Sequence, residues 1–283
     1  MLKTLAIGKR ILGDASGHFN RDDGWAIASH VALSALMALF PFLIFVAALA
    51  SFLGSEQLAG QAATLLFEAW PREIAEPLAE QVHILLTEPR GDLLTISIGI
   101  ALYLASNGVE GARVGLNRAY RQAEARSFWY RRLQSLIFVV LGAFGILALT
   151  FLLVLAPLVW EFAANQVPML GTFEKTVLLW RFLIATGVLS AVLITAHLWL
   201  PMDKRKLNEI WPGVLFTLVL WVLGASAFSL YLQNFSSYVS TYASLASAMI
   251  AIVFLYIIAV ILILGGELNA AIIRYRKARM GLR

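Results

Sequence analysis

Apolar and polar positions alternate along this chain in long blocks, not in short periods. Six blocks are long enough and poor enough in charge to cross a bilayer as helices, which takes about 20 residues at 1.5 Å each. They fall at 28–53, 93–109, 133–159, 182–202, 211–232 and 243–266. No Lys, Arg, Asp or Glu occurs from Gly24 to Ser55, nor in the 57 residues between Glu209 and Glu267. That second run must hold two helices, and the polar Gln233-Asn234-Phe235-Ser236-Ser237 marks the turn between them. The shortest block has 17 uncharged residues between Asp92 and Glu110; it either spans barely or continues as a helix past Gly108 under a polar face. The pattern predicts an all-α integral membrane protein with six transmembrane helices in a single membrane domain, 1–283.

The segments between the blocks differ in character. Residues 1–24 interleave Lys3, Lys9, Arg10 and Arg21 with Leu2, Leu5, Ile11 and Leu12, which predicts an interfacial helix broken by Asp22, Asp23 and Gly24. The first block is too long for a signal sequence despite Ala48-Leu49-Ala50, so an uncleaved span is expected, hinged at Pro41. Residues 54–92 carry seven acids from Glu56 to Asp92 against Arg72 and Arg90. Leu58, Ala62, Leu65 and Leu66, then Leu78, Val82 and Leu85, recur at helical spacing and predict two short amphipathic helices on the outer face. Gly142 and Gly145 in the third block would allow close helix approach.

Charge fixes the expected orientation. All Lys and Arg except Arg72, Arg90, Lys175 and Arg181 lie in the N-terminal segment, the 107–132 connection, the 203–206 turn or the 267–283 tail. Positive loops stay inside, so both termini are expected in the cytoplasm, with anionic lipid headgroups as partners at the inner face. The composition agrees: 60% of residues are hydrophobic and only 14% charged, where a soluble domain is about a quarter charged. The net charge of +5 does not point to nucleic acid, because RSFWYRR at 126–132 directly precedes a span and its aromatic residues fit an interfacial belt.

Candidate chemistry is sparse. Glu267 is an acid at the end of the last block, where an ionisable group is either functional or an interfacial packing residue, and its helical neighbours offer no cation. A partner from another helix, such as Arg113 or Arg118, or water, is needed. Asn107, Glu110, Arg113 and Asn117 form a second set; the last three fall on one helix face, suited either to an anionic headgroup or to an ordinary ion pair. Arg121 and Arg126 read as outer, lipid-docking arginines. His30 and His197 could relay protons or simply pack. No H-E-x-x-H, G-x-S-x-G or phosphate loop occurs, there is no cysteine, and the four histidines are dispersed. Neither an enzyme, a metal nor a cofactor is expected.

Three stretches resemble the YihY/BrkB family of bacterial inner-membrane proteins. They are ASHVALSALMALFPFLI at 28–44, Leu116-Asn117 followed by Arg126 and Arg132, and the final helix at 242–272 with its Gly266-Glu267-Leu268-Asn269 ending. His30 stands where the family pattern leads one to expect a small residue. The resemblance implies a six-helix inner-membrane protein. Members have carried the name ribonuclease BN, which these residues do not support, and others are associated with envelope integrity and lipid traffic. Residues and resemblance together give transport or positioning of an envelope lipid, with Glu267, Asn269, Arg113, Asn117, Asn107 and Glu110 as polar lining. The alternatives are a proton-coupled small-solute transporter and a scaffold that docks an outer-face protein through 54–92.

Overall fold

The computed structural model describes residues 2–52, 91–152, 160, 174–234 and 243–281. Among them it is all helical. The seven helices are α1 (Leu2–Arg21), α2 (Gly24–Phe52), α3 (Gly91–Ala119), α4 (Phe128–Thr150), α5 (Glu174–Trp199), α6 (Leu207–Asn234) and α7 (Ala243–Arg279). Four stretches are long and apolar enough to cross a membrane: Phe128–Leu149, Lys175–Trp199, Leu207–Tyr231 and Met249–Arg279. The expected outer helices of 54–92 lie outside the described residues.

Helix boundaries follow local chemistry. At the end of α1 the Asp22 N–H donates to His18 O at 2.8 Å and Asp23 turns left-handed at φ 55°. Only glycine can follow, since a Cβ on Gly24 would lie 2.5 Å from the Phe19 ring. α2 runs on through Pro41. The second block does not stop at residue 109: its helix continues to Ala119. It closes with Gln122 N–H on Asn117 O at 2.8 Å and Arg121 at φ 56°, a Schellman-type end. α7 likewise continues through Glu267 to Arg279 as one 37-residue helix, about 55 Å long.

The chain forms two compact units. The first comprises residues 1–39, 104–136 and 193–283, the second 40–103 and 137–192. In the first, Phe19, Ala28, Val31, Ala119, Ala259 and Ile263 form a buried core. α3 approaches α2 through glycines: a Cβ at Gly108 would lie 3.0 Å from Ala38 Cβ, and one at Gly111 2.9 Å from Ser34 Cβ. In the second unit, Gly142 and Gly145 do not mark a tight approach. A Cβ there would sit 3.9 Å from Phe42 and 3.7 Å from Val192, ordinary contact distances. The closest helix contacts lie elsewhere because Gly213 and Gly265 carry them.

α1 lays Ala15 and Phe19 inward and packs on α7. Asp14 accepts from Arg274 Nε at 3.1 Å and Nη2 at 2.8 Å, tying the two helices. Burial works to raise the Asp14 carboxyl, but the hydrogen bond and charge of Arg274, with His18 and Arg121 behind them, hold it below its ordinary range.

Candidate functional site

The turn of α7 from Gly265 to Asn269 is where the elements of the first unit meet. Gly265 faces α6, and a Cβ on it would stand 2.1 Å from Thr217 Oγ1. Across the same contact, a Cβ on Gly213 would stand 2.2 Å from Gly265 O. Gly266 faces α3, where an added Cβ would come within 2.9 Å of Ala119 Cβ. With both backbones this close, the Asn269 amide reaches the α6 main chain.

Pro212 lies within the first turns of α6. Proline has no N–H, so the carbonyl four residues back loses its helical donor. Asn208 O takes Arg276 Nη1 instead, at 3.1 Å. One residue on, the Gly213 N–H donates to Asn269 Oδ1 at 2.7 Å, and Ile210 O accepts from Asn269 Nδ2 at 3.0 Å. Asn269 Nδ2 also donates to Tyr120 OH at 3.1 Å, and Tyr120 OH lies 2.9 Å from His197 Nδ1. Burial pushes the Tyr120 phenol well above its ordinary range, so it stays neutral. His197 Nε2 is a buried atom with no hydrogen-bond partner. The Arg205 guanidinium covers the Tyr120 ring at 4.8 Å.

Glu267 does not share this face. It stands two residues before Asn269, about 200° around the helix, and is 1% exposed. Its cation is Arg121, whose Nη2 is 3.9 Å from Oε2, while Arg121 Nε donates to Asp22 Oδ2 at 3.2 Å. The partner is thus neither Arg113 nor Arg118, and Arg121 is not simply an outer lipid-docking residue: the left-handed turn after α3 brings it back over the bundle.

The second set is clamped to the start of α4. Arg113 is fully buried and donates to Glu110 Oε2, Ser135 Oγ and, at 2.8 Å, Arg131 O. Glu110 also accepts from Arg131 at 2.9 Å, and Asn107 Oδ1 accepts from Arg132 Nη1 at 3.0 Å. Asn117 works in a different place: its Nδ2 donates to Glu124 Oε2 at 2.9 Å and its Oδ1 accepts the Met202 N–H at 2.8 Å, joining α3 to the turn after α5. Glu124 is held by Arg126 Nε and Nη2 at 2.7 and 2.6 Å. These hydrogen bonds, with that of Asn117, hold its carboxyl down at about 2. Pro41 lies in the continuous α2, and His30 is exposed there while His197 is buried on Tyr120. The sequence reading missed Tyr120, Glu124, Asp22, Asp14 and Arg274. Spacing offered a signal for two: Tyr120 follows Asn117 by three residues, and Arg274 follows Glu267 by seven, on the same helix face.

Comparison with known proteins adds a family. The family model described as "Virulence factor BrkB" matches residues 15–282. The chain is 29% identical over 269 residues to the "Putative ribonuclease-like protein YfkH" of Bacillus subtilis (strain 168), covering 94% of this chain and 96% of that one. It is 26% identical over 251 residues to the "UPF0761 membrane protein PSHAa0171" of Pseudoalteromonas translucida (strain TAC 125), covering 87% and 80%. No solved structure matches the chain.

Proposed function

Because this chain belongs to the BrkB family of membrane proteins, we propose that it positions or moves an amphipathic envelope lipid across or within the bacterial cytoplasmic membrane. In this reading α2 to α7 all span, the N- and C-termini are inside, and the lipid headgroup is met at the inner face.

One observation carries the reading. Trp25, Trp129, Tyr130, Trp199 and Trp211 are all at least half exposed, and they stand at the start of α2, the start of α4, the end of α5 and the start of α6. Interleaved with them in sequence are Arg131, Arg132, Lys204, Arg205 and Lys206. Aromatic rings with an apolar body and a polar edge settle at headgroup level, and arginines and lysines there attract anionic headgroups. In the same unit the polar groups of Asn117, Glu267 and Asn269 are buried. Arg118 is exposed and Arg121 partly so, and these are the cations a headgroup would meet first.

The test is lipid binding. Purified protein in nanodiscs of a zwitterionic lipid is titrated with an anionic phospholipid carrying a fluorescent headgroup, and energy transfer from tryptophan is read. Enrichment around the wild type that falls in Arg118→Gln and in Arg131→Gln/Arg132→Gln supports the reading; equal signals in all three remove its basis. A proton-coupled solute carrier is the second reading, favoured by the buried carboxylate of Glu267.

A further inference from the structure

Only two non-glycine residues among those described have positive φ, Asp23 at 55° and Arg121 at 56°. Such residues sit in this region only when their surroundings hold them there, and glycine would relieve the strain at a helix end. Both stand beside one ion pair, Arg121 Nε to Asp22 Oδ2 at 3.2 Å. On the other side of the same guanidinium lies Glu267, with Oε2 3.9 Å from Nη2. No hydrogen bond forms across that distance, and Oε2 is buried without a partner.

A buried carboxylate oxygen is expected to receive a donor. Here the guanidinium is close enough to act through its charge and too far to donate, because Asp22 holds it back. No helix neighbour helps: Ala270, Ala271, Ile263 and Leu264 flank the acid on α7. The smallest ligand that satisfies Oε2, and that needs no cavity, is a proton. The charged groups acting on Glu267 are Arg121 from the end of α3, Asp22 from the α1–α2 turn, Asp14 from α1 and Arg274 from α7 itself. His18 contacts Asp14 and Arg274 and completes the set.

We propose that Glu267 is a proton-binding site and that Arg121 is a counter-ion shared between Glu267 and Asp22, so that the proton decides which carboxylate holds Arg121. Proton uptake forms an O–H bond on Glu267 and removes its charge; the guanidinium then belongs to Asp22 alone, which tightens the α1–α2 turn onto the end of α3. Proton release returns the carboxylate and draws Arg121 toward the bundle. The device is independent of what the protein carries, so the lipid reading and this one fail separately.

Difference infrared spectroscopy of the purified protein tests it, following the protonated-carboxyl C=O band over about pH 5 to 9. A band that titrates in wild type and is absent in Glu267→Gln is expected. The coupling is read from two variants that leave Glu267 in place. Arg121→Gln removes a cation, whereas Asp22→Asn removes an anion and frees Arg121 for Glu267, so their midpoints move in opposite directions from wild type. A spectrum with no band dependent on Glu267 overturns the proton site. A band whose midpoint stays put in both variants, or moves the same way in both, overturns the shared counter-ion.

Discussion

Asn269 binds the backbone of α6 beside Pro212: its amide oxygen takes the Gly213 N–H and its NH2 donates to Ile210 O. A proline inside a membrane helix frees polar backbone groups where water cannot reach, and another helix has to answer them. Here α7 answers through Arg276 on Asn208 O, and Asn269, seven residues before it, also donates to Tyr120, whose hydroxyl lies against His197.

Replacing Asn269 by leucine therefore leaves a buried N–H, a carbonyl and a phenol without their partner. Thermal unfolding in detergent should show a loss of about 2–4 kcal/mol, with Asn269→Asp intermediate because the acceptor survives. A leucine variant as stable as wild type would mean that Asn269 does not hold α7 on α6.

The α6–α7 contact itself depends on two glycines. Gly213→Ala and Gly265→Ala should each destabilise by about 1–3 kcal/mol, since their Cβ atoms have no room. Gly99→Ala and Gly187→Ala are the controls: a Cβ there meets nothing within 4 Å, and alanine is the better helix former. The melting temperatures of the four variants check the contrast, and a uniform response to all of them would contradict it.

Glu124 gives the fold a defined acid sensitivity. Its carboxyl is lowered from 4.5 to about 2, chiefly by its hydrogen bonds to Arg126. A depressed carboxylate contributes fully above its unfolded value and loses that contribution as pH falls through the folded one. Glu124→Gln should thus cost about 2 kcal/mol near neutrality, and the difference from wild type should shrink between about pH 4.5 and 2. Chemical denaturation at several pH values reads this directly, and a gap that does not change with pH would assign the loss to packing.

Asp14→Asn should loosen α1 from α7, because Arg274 loses its carboxylate. The chain has no cysteine, so a single cysteine in place of the buried Ala15 reports the change as faster maleimide labelling. Unchanged labelling would show that apolar packing alone holds the helix.

Much of the helical framework was legible as blocks of uncharged residues, because lipid imposes that pattern on every residue of a span. The ends were not, since a helix that leaves the apolar layer carries no hydropathy signal: α3 continues ten residues past 109, and α7 thirteen past 266. The pairing of Glu110 with Arg113 follows from a spacing of three on one helix. The partner of Glu267 could not be read that way. Arg121 reaches it only because the chain turns left-handed at the end of α3, and nothing about an arginine advertises a left-handed φ. Asn269 and Glu267 were grouped because both belong to the Gly-Glu-Leu-Asn motif, yet a separation of two residues on a helix turns their side chains to opposite faces.

The proposal that this protein handles lipid is tested most directly by translocation in liposomes, with headgroup-labelled phospholipid quenched from outside. Wild type, Glu267→Gln, Arg113→Ala and Asn269→Leu are compared at equal incorporation. The account predicts that wild type exposes the inner-leaflet label to quencher faster than protein-free liposomes do, and that the variants slow it. Wild-type rates equal to protein-free liposomes for anionic and zwitterionic lipids alike, with and without a proton gradient, would contradict it.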